Sequence, residues 1–405
     1  QVFCVEMAVP VEFSKDGHPS CSAAPYVPGT VRAADPSREL LNFGPGPAPM
    51  PAEVLHSVQA ELLDYEGTGL SVLSMSHRAP EFSAILADSE AVLRRVLQLP
   101  PEFELLFMHG GGHGQFAAVP LNLCVSSECS ADYIITGSWS KRAATEAAKY
   151  AKVNVVVEGT GDCLPPLSDW KLEATSRYVY ICSNETVNGL EFHSLPECPP
   201  GVPLVVDMSS DICSKRIDWS RVGVAFACTP KNIGHSGLTI VAIRRDLLEQ
   251  RRAQDICPGI LNWQVILESE NVWNTPPTFN IYTTGKVCHW IEQQGGIEEM
   301  ERRAVRKSEL LYNLIDQSGG FYSTPCMVKG DRSRMNVPFM VKGGDSETTD
   351  RFLREAYSSN IVGLLTKTPF GYGKCLRASL YNHLSVAHTE TLVAFMATFA
   401  EVERH

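Results

Sequence analysis

Residues 203–234, PLVVDMSSDICSKRIDWSRVGVAFACTPKNIG, contain two apolar stretches that indicate the fold. Each stretch, PLVV at 203–206 and VGVAFAC at 222–228, is short, almost entirely apolar and followed by polar residues. A strand that is apolar on both faces is typical of a parallel sheet with helices on both sides. About one crossover connection separates the two strands, so Asp207 and Lys231 are predicted to meet at one edge of the sheet.

The same pattern continues on both sides of this stretch. Short apolar strands are predicted at 103–108, 132–136, 153–157, 177–182 and 237–243, with helices at 51–65, from Pro80 onward and at 139–150. Strands that alternate with helices predict an α/β fold, here with one large, mostly parallel sheet that is covered on both faces. After about residue 280, long helices dominate and a smaller α+β pattern follows.

The chain is therefore predicted to have three parts. Residues 1–40 contain five prolines without sustained periodicity, and we expect an extension that lies on the surface or is partly disordered. Residues 41–300 are predicted to form the large domain, and the segment 41–80 is expected to contribute to its site. Residues 301–405 are predicted to form a smaller C-terminal α+β domain.

The charge of the chain argues against one class of partner. The 405 residues include 35 Lys and Arg against 46 Asp and Glu, which gives a net charge of −11. A protein that mainly binds nucleic-acid phosphates is usually basic, so that function is disfavoured. A small anionic substrate is still compatible with this charge, because a local arginine cluster overrides a modest global field.

The cysteines indicate the compartment. Their number is thirteen, and no C-x-x-C pair occurs. An odd number with irregular spacing is typical of reduced thiols in an intracellular protein, and it predicts neither a disulfide framework nor a metal site. No apolar run approaches the ~18 residues of a membrane helix, and no signal peptide is visible. We expect a cytoplasmic location, or an organelle if a targeting segment has been removed.

A glycine-rich segment, HGGGHGQF at 109–116, lies between a predicted strand and a helix-like run. Glycines at such a turn let backbone N–H groups approach a phosphate at the helix N-terminus. A simple tight turn is the alternative. Gly112-x-Gly114-x-x-Ala117 also fits a loose dinucleotide fingerprint, but no acidic residue ends a strand ~20 residues later. The Walker motif G-x-x-x-x-G-K-[ST] is absent from the sequence.

Asp207 and Lys231 are predicted to lie near this glycine-rich segment and suggest which ligand it binds. Asp207 alone would be read as a cap of the following turn, a metal ligand, an acid or the partner of a protonated ring nitrogen. A lysine directly after a buried strand is unusual, because most lysines lie on solvated faces. An amine, a carboxylate and a phosphate cradle around one cleft are what pyridoxal phosphate requires. Together they predict a site for this cofactor.

Many longer stretches match one family, in the order in which that family has them. From Asn42 to the C-terminus, the chain resembles the phosphoserine aminotransferases, which are class V, fold-type-I enzymes that depend on pyridoxal phosphate. The matching stretches are NFGPGPAPMP (42–51), ELLDYEGTGLSVLSMSHR (61–78), GGGHGQFAAVPLNL (110–123), TGSWS (136–140), NETVNGLEF (184–192), VVDMSS (205–210), PKNIG (230–234), NTPPTF (274–279) and LRASLYN (376–382).

The resemblance implies roles around the cofactor ring. Lys231 resembles the lysine that forms the Schiff base and then moves a proton between substrate and cofactor. Asp207 resembles the partner of the protonated ring nitrogen. Trp139 is similar to the aromatic residue that stacks on the ring, and Thr186 to the threonine that binds the ring hydroxyl.

The resemblance also implies how the cofactor phosphate is held. Gly112 and His113 are at the positions of the phosphate cradle. Asn274 and Thr275 resemble a pair that reaches the cofactor of the neighbouring subunit, which implies a homodimer. An N-cap ahead of a helix is the alternative interpretation of that pair.

Substrate recognition is implied for three cationic residues. Arg377 resembles the arginine that binds the substrate α-carboxylate, since a guanidinium binds such a group bidentately. His77 and Arg78 resemble the family's pair for the substrate phosphate, which also receives the side-chain carboxylate of glutamate. A surface ion pair is the alternative for Arg78.

The sequence departs from the family's pattern at two places. Pro230 precedes the lysine where the family usually has glutamine, so either Thr229, a serine or water compensates, or the cofactor phosphate is held less tightly. The residues Phe370 and Gly371 occur where the family usually has a second His-Arg pair. Lys367 or Lys374 is the expected replacement cation, although a lysine provides a point charge rather than a fork.

The resemblance implies an aminotransferase of serine biosynthesis. It would convert 3-phosphooxypyruvate and L-glutamate to O-phospho-L-serine and 2-oxoglutarate. A related enzyme of the fold, such as an alanine–glyoxylate aminotransferase or a sulfur-transferring lyase, is the main alternative. A binding module without activity is disfavoured because Lys231 and Asp207 are both present. A dinucleotide-dependent oxidoreductase would leave Lys231 and NETVNG unexplained.

Overall fold

The computed structural model describes residues 40–364 and 375–404, together with the backbone of two short strands at 12–13 and 19–20. The helices are α1 Ala52–Glu61, α2 Pro80–Leu97, α3 Gly111–Leu123, α4 Ser138–Ala147, α5 Arg245–Gln250, α6 Trp263–Glu268, α7 Thr278–Gln293, α8 Gly296–Gln317, α9 Ser346–Ser358 and α10 Val386–Val402.

The strands are β1 Glu12–Phe13, β2 Pro19–Ser20, β3 Leu41–Asn42, β4 Phe103–Met108, β5 Ser130–Ile135, β6 Lys152–Glu158, β7 Val179–Cys182, β8 Asn184–Glu185, β9 Leu190–Glu191, β10 Leu204–Asp207, β11 Val222–Cys228, β12 Thr239–Arg244, β13 Tyr322–Ser323, β14 Asn336–Val341, β15 Ile361–Val362 and β16 Cys375–Ser379.

A seven-stranded sheet in the order β4-β12-β11-β10-β7-β5-β6 forms the centre of the fold. Strands β11, β10, β7, β5 and β6 run parallel, whereas β12 is antiparallel to both of its neighbours. The predicted α/β class with a mostly parallel sheet is therefore confirmed. Asp207 pairs with Phe226 of β11, so the segment that follows Cys228 leaves the same edge of the sheet.

Both faces of this sheet are buried, as the apolar strands predict. In β10, Leu204 and Val206 pack into one core cluster with residues of α2 and α7, and Val205 packs into another with residues of α3 and α4. Burial of each such side chain stabilises the fold by roughly 1.5–3 kcal/mol. The core therefore fixes β10 and β11 from both sides, and their polar carboxyl ends are held rigidly.

The C-terminal part has its own antiparallel sheet, β13-β14-β16, with α8, α9 and α10 around a separate apolar cluster. The short strand β3 pairs in parallel with β15, and Phe43 is buried in this cluster. The chain after Leu40 therefore contacts the C-terminal part directly. The domain boundary at residue 300 stays a prediction; helix α8 runs through that position.

The first helix is shorter than predicted. It ends at Glu61 rather than near Tyr65, and a short 3-10 turn follows at Tyr65–Gly67. Within that turn Glu66 has a φ of 49°, a left-handed conformation that interrupts a helix. The segment that leads to His77 and Arg78 is consequently built of turns. No helix in the described part of the chain is long and apolar enough to cross a membrane.

Candidate active site

A cavity of about 130 Å³ opens at the carboxyl ends of β7, β10 and β11. Several side chains and backbone segments that the sequence places far apart line it together. These are Gly112, His113, Phe116, Trp139, Cys182, Asn184, Thr186, Asp207, Ser209, Ser210, Cys228 and Lys231. The structure thus brings the six residues predicted to surround the cofactor ring and its cradle to one place, although their roles stay predictions.

Lys231 lies in the loop that follows β11, and its amine faces the cavity. The amine nitrogen donates to Thr186 Oγ1 at 2.9 Å and lies 5.7 Å from the centre of the Trp139 ring. The Pro230 carbonyl accepts from the Ala48 N–H at 2.8 Å, which fixes the backbone behind the lysine. An amine held between a hydroxyl and an aromatic face is suited to covalent attachment of a flat carbonyl compound.

The surroundings of Lys231 set the charge of its amine. Burial alone would lower the pKa of this amine, but its interactions with Tyr381, Cys228 and Asp207 outweigh burial and raise the pKa. These neighbours therefore favour the protonated amine in the cofactor-free chain. It must lose a proton before it can act as a nucleophile.

Asp207 is a buried carboxylate at the end of β10. Its Oδ1 accepts from the Ser209 N–H at 2.9 Å, and the Tyr180 hydroxyl donates to Oδ2 at 3.4 Å. Burial raises the pKa of Asp207, although the hydrogen bond from Ser209 acts in the opposite direction. A protonated ring nitrogen placed against this carboxylate would compensate for the solvation that burial removes and would favour the ionised carboxylate.

The glycine-rich segment forms the N-terminus of α3. Gly110 is the N-cap with a φ of 97°, and Gly111 has a φ of 62°, so both adopt a conformation that favours glycine. The first N–H groups of a helix have no helical acceptor and attract anions. His113 lies beside this turn, with its ring 5.8 Å from that of Trp139 in an edge-to-face arrangement. A phosphate would fit here.

Trp139 is positioned by a carboxylate from another sequence block. The N–H groups of Trp139 and Ser140 donate to the two oxygens of Glu185, at 2.9 and 2.8 Å. Asn188 Oδ1 accepts from the Ser138 N–H at 3.1 Å. The block NETVNG therefore caps helix α4. The indole nitrogen of Trp139 is buried without a hydrogen-bond partner among the described residues.

Glu185 and Asn188 were missed in the sequence analysis, which assigned only Thr186 in this block. Burial raises the pKa of Glu185 despite its hydrogen bonds from Ser140 and Trp139. An acidic residue beside Thr186, shortly after an apolar strand, was the available signal. It could not show that the N–H groups that Glu185 binds belong to a helix 45 residues earlier.

Arg377 lies on β16, next to the cavity. It is only 5% exposed, and its Nη1 donates to the Thr186 carbonyl at 2.8 Å. Its Nε is buried without a hydrogen-bond partner in the described part of the chain. Burial lowers the pKa of this guanidinium. A carboxylate would satisfy the open Nε and restore the favourable environment of the cation.

Besides Arg377, four predicted site residues are not among those that line this cavity. His77 is half-buried, and Arg78, Asn274 and Thr275 are exposed. The Thr275 backbone hydrogen-bonds to His109, just before the glycine-rich turn, and burial lowers the pKa of that histidine. A single chain therefore does not bring these four residues into the cavity.

The two departures from the family pattern have different outcomes. The Thr229 hydroxyl is bound to the His235 and Leu238 carbonyls, so it does not replace the missing glutamine. Ser209 and Ser210 do line the cavity, and compensation by a serine stays a prediction. The residues of the second departure, Phe370 and Gly371 with Lys367 and Lys374, lie outside the described residues.

A larger cavity of about 710 Å³ lies elsewhere, beside Trp170 and Phe192. Its cations are already paired: Lys215 with Glu191 and Asp211, Arg216 with Glu298, and Arg221 with Glu197 and Asp218. It therefore offers no prepared position for an anion. In the described ranges, no group of three or more His, Cys, Asp or Glu is arranged to hold a metal ion.

Known proteins share both the sequence and the fold. The family model Aminotransferase class-V matches residues 40–392. A phosphoserine aminotransferase of Drosophila melanogaster is 43% identical over 364 residues, which cover 89% of this chain and 98% of that protein. The solved phosphoserine aminotransferase of Bacillus circulans subsp. alkalophilus has a TM-score of 0.85 at 36% identity and covers 90% of this chain and 99% of its own. A structure of the enzyme from Trichomonas vaginalis with bound PLP has a TM-score of 0.83 at 33% identity and covers 89% and 100%.

Proposed function

Since this chain belongs to the phosphoserine aminotransferases within the class V aminotransferases, we propose for it the reaction of that family. It exchanges an amino group between L-glutamate and 3-phosphooxypyruvate and gives O-phospho-L-serine and 2-oxoglutarate, a step of serine biosynthesis. It is a transaminase that depends on pyridoxal phosphate, the cofactor held by the Trichomonas relative. Exchange between alanine and glyoxylate, the alternative from the sequence, is not favoured by this family membership.

One observation carries the chemistry: the Lys231 amine and the buried Asp207 carboxylate line the same cavity as the glycine-rich N-terminus of α3. The cofactor, when bound, supplies an electron sink for the reaction. We propose that Lys231 holds the cofactor covalently and later moves the proton at the substrate Cα. Asp207 would keep the proton on the ring nitrogen, and Thr186 would bind the ring hydroxyl.

Other residues of the cavity are proposed to bind the phosphate and the ring face of the cofactor. Gly112 and His113 are proposed to hold the phosphate, because the helix N-terminus beside them presents unpaired N–H groups. Trp139 is proposed to stack on the ring, and its helix is capped firmly enough by Glu185 to hold the indole in place.

Arg377 is proposed to bind the α-carboxylate of either substrate. Its open, buried Nε and its contact with the Thr186 carbonyl support this role. Thr186 would then connect both halves of the site, since its hydroxyl accepts from Lys231. A carboxylate at Arg377 would in this way lie beside the amine that acts on the Cα proton.

Absorbance and substrate choice test the proposed function. The purified protein is expected to show the visible band of lysine-bound cofactor, and separate additions of phosphoserine and glutamate are expected to bleach it. L-Serine, which lacks the phosphate, is the matched control. It should react at least about 10²-fold less efficiently, because the groups of the enzyme that bind the phosphate would be left unpaired. Serine that reacts as well as phosphoserine would refute the substrate, and a protein that shows no band after reconstitution would refute the cofactor site.

We propose further that the enzyme is a homodimer whose sites contain residues of both chains. The segment before His77 exposes large apolar side chains, with Leu63 83%, Leu70 52% and Leu73 58% exposed. Exposed leucines so close together in one segment are typical of a surface that a partner covers. His77 and Arg78 would then bind the substrate phosphate, and Asn274 and Thr275 the cofactor phosphate, in the site of the second copy.

Mixed dimers test this arrangement. A Lys231→Ala chain and an Arg78→Ala chain, each inactive or weakly active alone, are co-expressed with different tags and the mixed dimer is isolated. If Arg78 acts on the partner's site, one site of the mixed dimer is intact, and about half of the normal kcat should return. If both residues belong to the same chain's site, no complete site exists and activity stays at the level of the separate variants.

For the compartment, we propose the cytoplasm or the interior of an organelle. All eleven cysteines in the described part of the chain are free, which fits a reducing environment. Fluorescence microscopy of the tagged full-length protein would distinguish the two, and secretion would contradict both.

A further inference from the structure

Lys307 on helix α8 is a buried cation with an unusual set of partners. It is only 1% exposed. Its amine donates to three backbone carbonyls, those of Leu380 at 2.7 Å, Tyr381 at 2.8 Å and Leu384 at 2.9 Å. An ammonium group has three N–H donors, so all of them are used. The described residues provide no carboxylate that forms an ion pair with it.

This arrangement is costly for the fold. Burial, together with the nearby Arg303, lowers the pKa of Lys307 to about 7. A buried charge without a counter-ion destabilises the folded state, and an unbranched apolar side chain would fill the same space without that penalty. A role in fixing the three carbonyls accounts for a lysine at this position.

These carbonyls belong to the turn that follows β16, residues 380–384. Tyr381 in this turn donates its hydroxyl to the Pro45 carbonyl at 2.9 Å. Pro45 lies three residues before Ala48, whose N–H donates to the Pro230 carbonyl at 2.8 Å, and Pro230 directly precedes Lys231. The turn is therefore connected through Pro45 to the loop that carries the proposed catalytic lysine.

A second connection runs through the backbone. The Asn382 N–H donates to Asn232 Oδ1 at 3.0 Å, and Asn232 directly follows Lys231. Asn382 also donates its amide to the Cys213 carbonyl at 2.7 Å. The loop that carries Lys231 is thus tied to the turn held by Lys307.

We propose that Lys307 is a positioning residue of the transamination reaction: its three hydrogen bonds hold the turn 380–384 so that Tyr381 and Asn382 fix Lys231. The proposal rests on the proposed function of Lys231. Lys307 itself does not line the cavity and touches neither cofactor nor substrate.

The pH at which the visible band of the lysine-bound cofactor changes is the readout that tests this role. In Lys307→Met, we expect this midpoint to move by at least about half a pH unit, because the released turn no longer fixes Lys231 relative to the groups that surround it in the cavity. We expect kcat to fall about tenfold, since small misplacements of a reacting group reduce the rate, with less than about a twofold change in the KM for glutamate.

Leu311→Ala is the matched control, because Leu311 lies one turn further along α8 and is fully buried in the C-terminal cluster. It should lower the Tm without moving the midpoint. Equal midpoints in Lys307→Met and the native enzyme, or equal shifts in both variants, would overturn the proposal. If Lys307→Met does not fold, Asn232→Ala removes the acceptor of the Asn382 N–H and so breaks the same path downstream. It must shift the midpoint, and an unshifted midpoint there also overturns the proposal.

The two levels of inference fail in different ways. A native enzyme without a visible band after reconstitution refutes the proposed function. A native enzyme with a normal band, whose midpoint is insensitive to Lys307→Met, refutes only the positioning role.

Discussion

Replacement of Lys231 by alanine is expected to lower kcat by at least about 10³-fold, because the chain loses both the covalent attachment point and the base for the Cα proton. The free energy of unfolding of the cofactor-free chain should change by no more than about 1 kcal/mol, since the amine makes one hydrogen bond, to Thr186. Steady-state kinetics and urea unfolding measure the two quantities.

The absorbance spectrum provides a further check on this variant. Lys231→Ala should not show the visible band of lysine-bound cofactor, even with excess pyridoxal phosphate. Lys329→Ala is a suitable control, because Lys329 is an exposed lysine paired with Asp316, and its loss should leave the band and kcat unchanged. A band that persists in Lys231→Ala would mean that another lysine holds the cofactor.

Replacement of Asp207 by asparagine is expected to lower kcat by about 10² to 10³-fold, because a preorganised charge at the reacting ring is lost. The shape is preserved, and the Oδ1 of asparagine can still accept from the Ser209 N–H. The reaction therefore loses a charge and little else.

The stability of the same variant should change in the opposite direction. Burial raises the pKa of Asp207, so the ionised carboxylate destabilises the folded, cofactor-free chain above the unfolded pKa and not at low pH. Asp207→Asn should therefore unfold at a slightly higher Tm than the native apoprotein at pH 7, and this difference should vanish near pH 3. Asp255→Asn, at an exposed ion pair, should change neither kcat nor Tm noticeably. A clear loss of Tm in Asp207→Asn would mean that the carboxylate is structural.

The sequence predicts the centre of the fold well, because its signals there are strong and local. The apolar strands around Asp207 and Lys231 can only be buried on both faces, and parallel pairing then brings their ends together. The strands β3 and β15 were not predicted. Each has two residues, which is too short for any periodicity, and their pairing joins positions 320 residues apart.

Some residues of the candidate site could likewise be placed from the sequence, and others could not. Residues at strand ends could be placed from topology, whereas Glu185 and Lys307 act on backbone groups, which no side-chain pattern reveals. A lysine within a charged helix such as α8 is usually assigned to the solvent face. Only the packing of that helix against the turn after β16 shows that this one is buried.

The cap that Glu185 and Asn188 place on helix α4 has a consequence for engineering. Gly137 has no room for a side chain, since an added Cβ would lie 2.5 Å from Asn188 Oδ1 and 2.8 Å from the Glu185 carboxyl carbon. The blocks TGSWS and NETVNG therefore form one structural unit, although they are separate in the sequence. A chimera that takes one block from a distant aminotransferase should misplace the aromatic residue at position 139, and only joint transplantation of both blocks should preserve the position that Glu185 gives to Trp139.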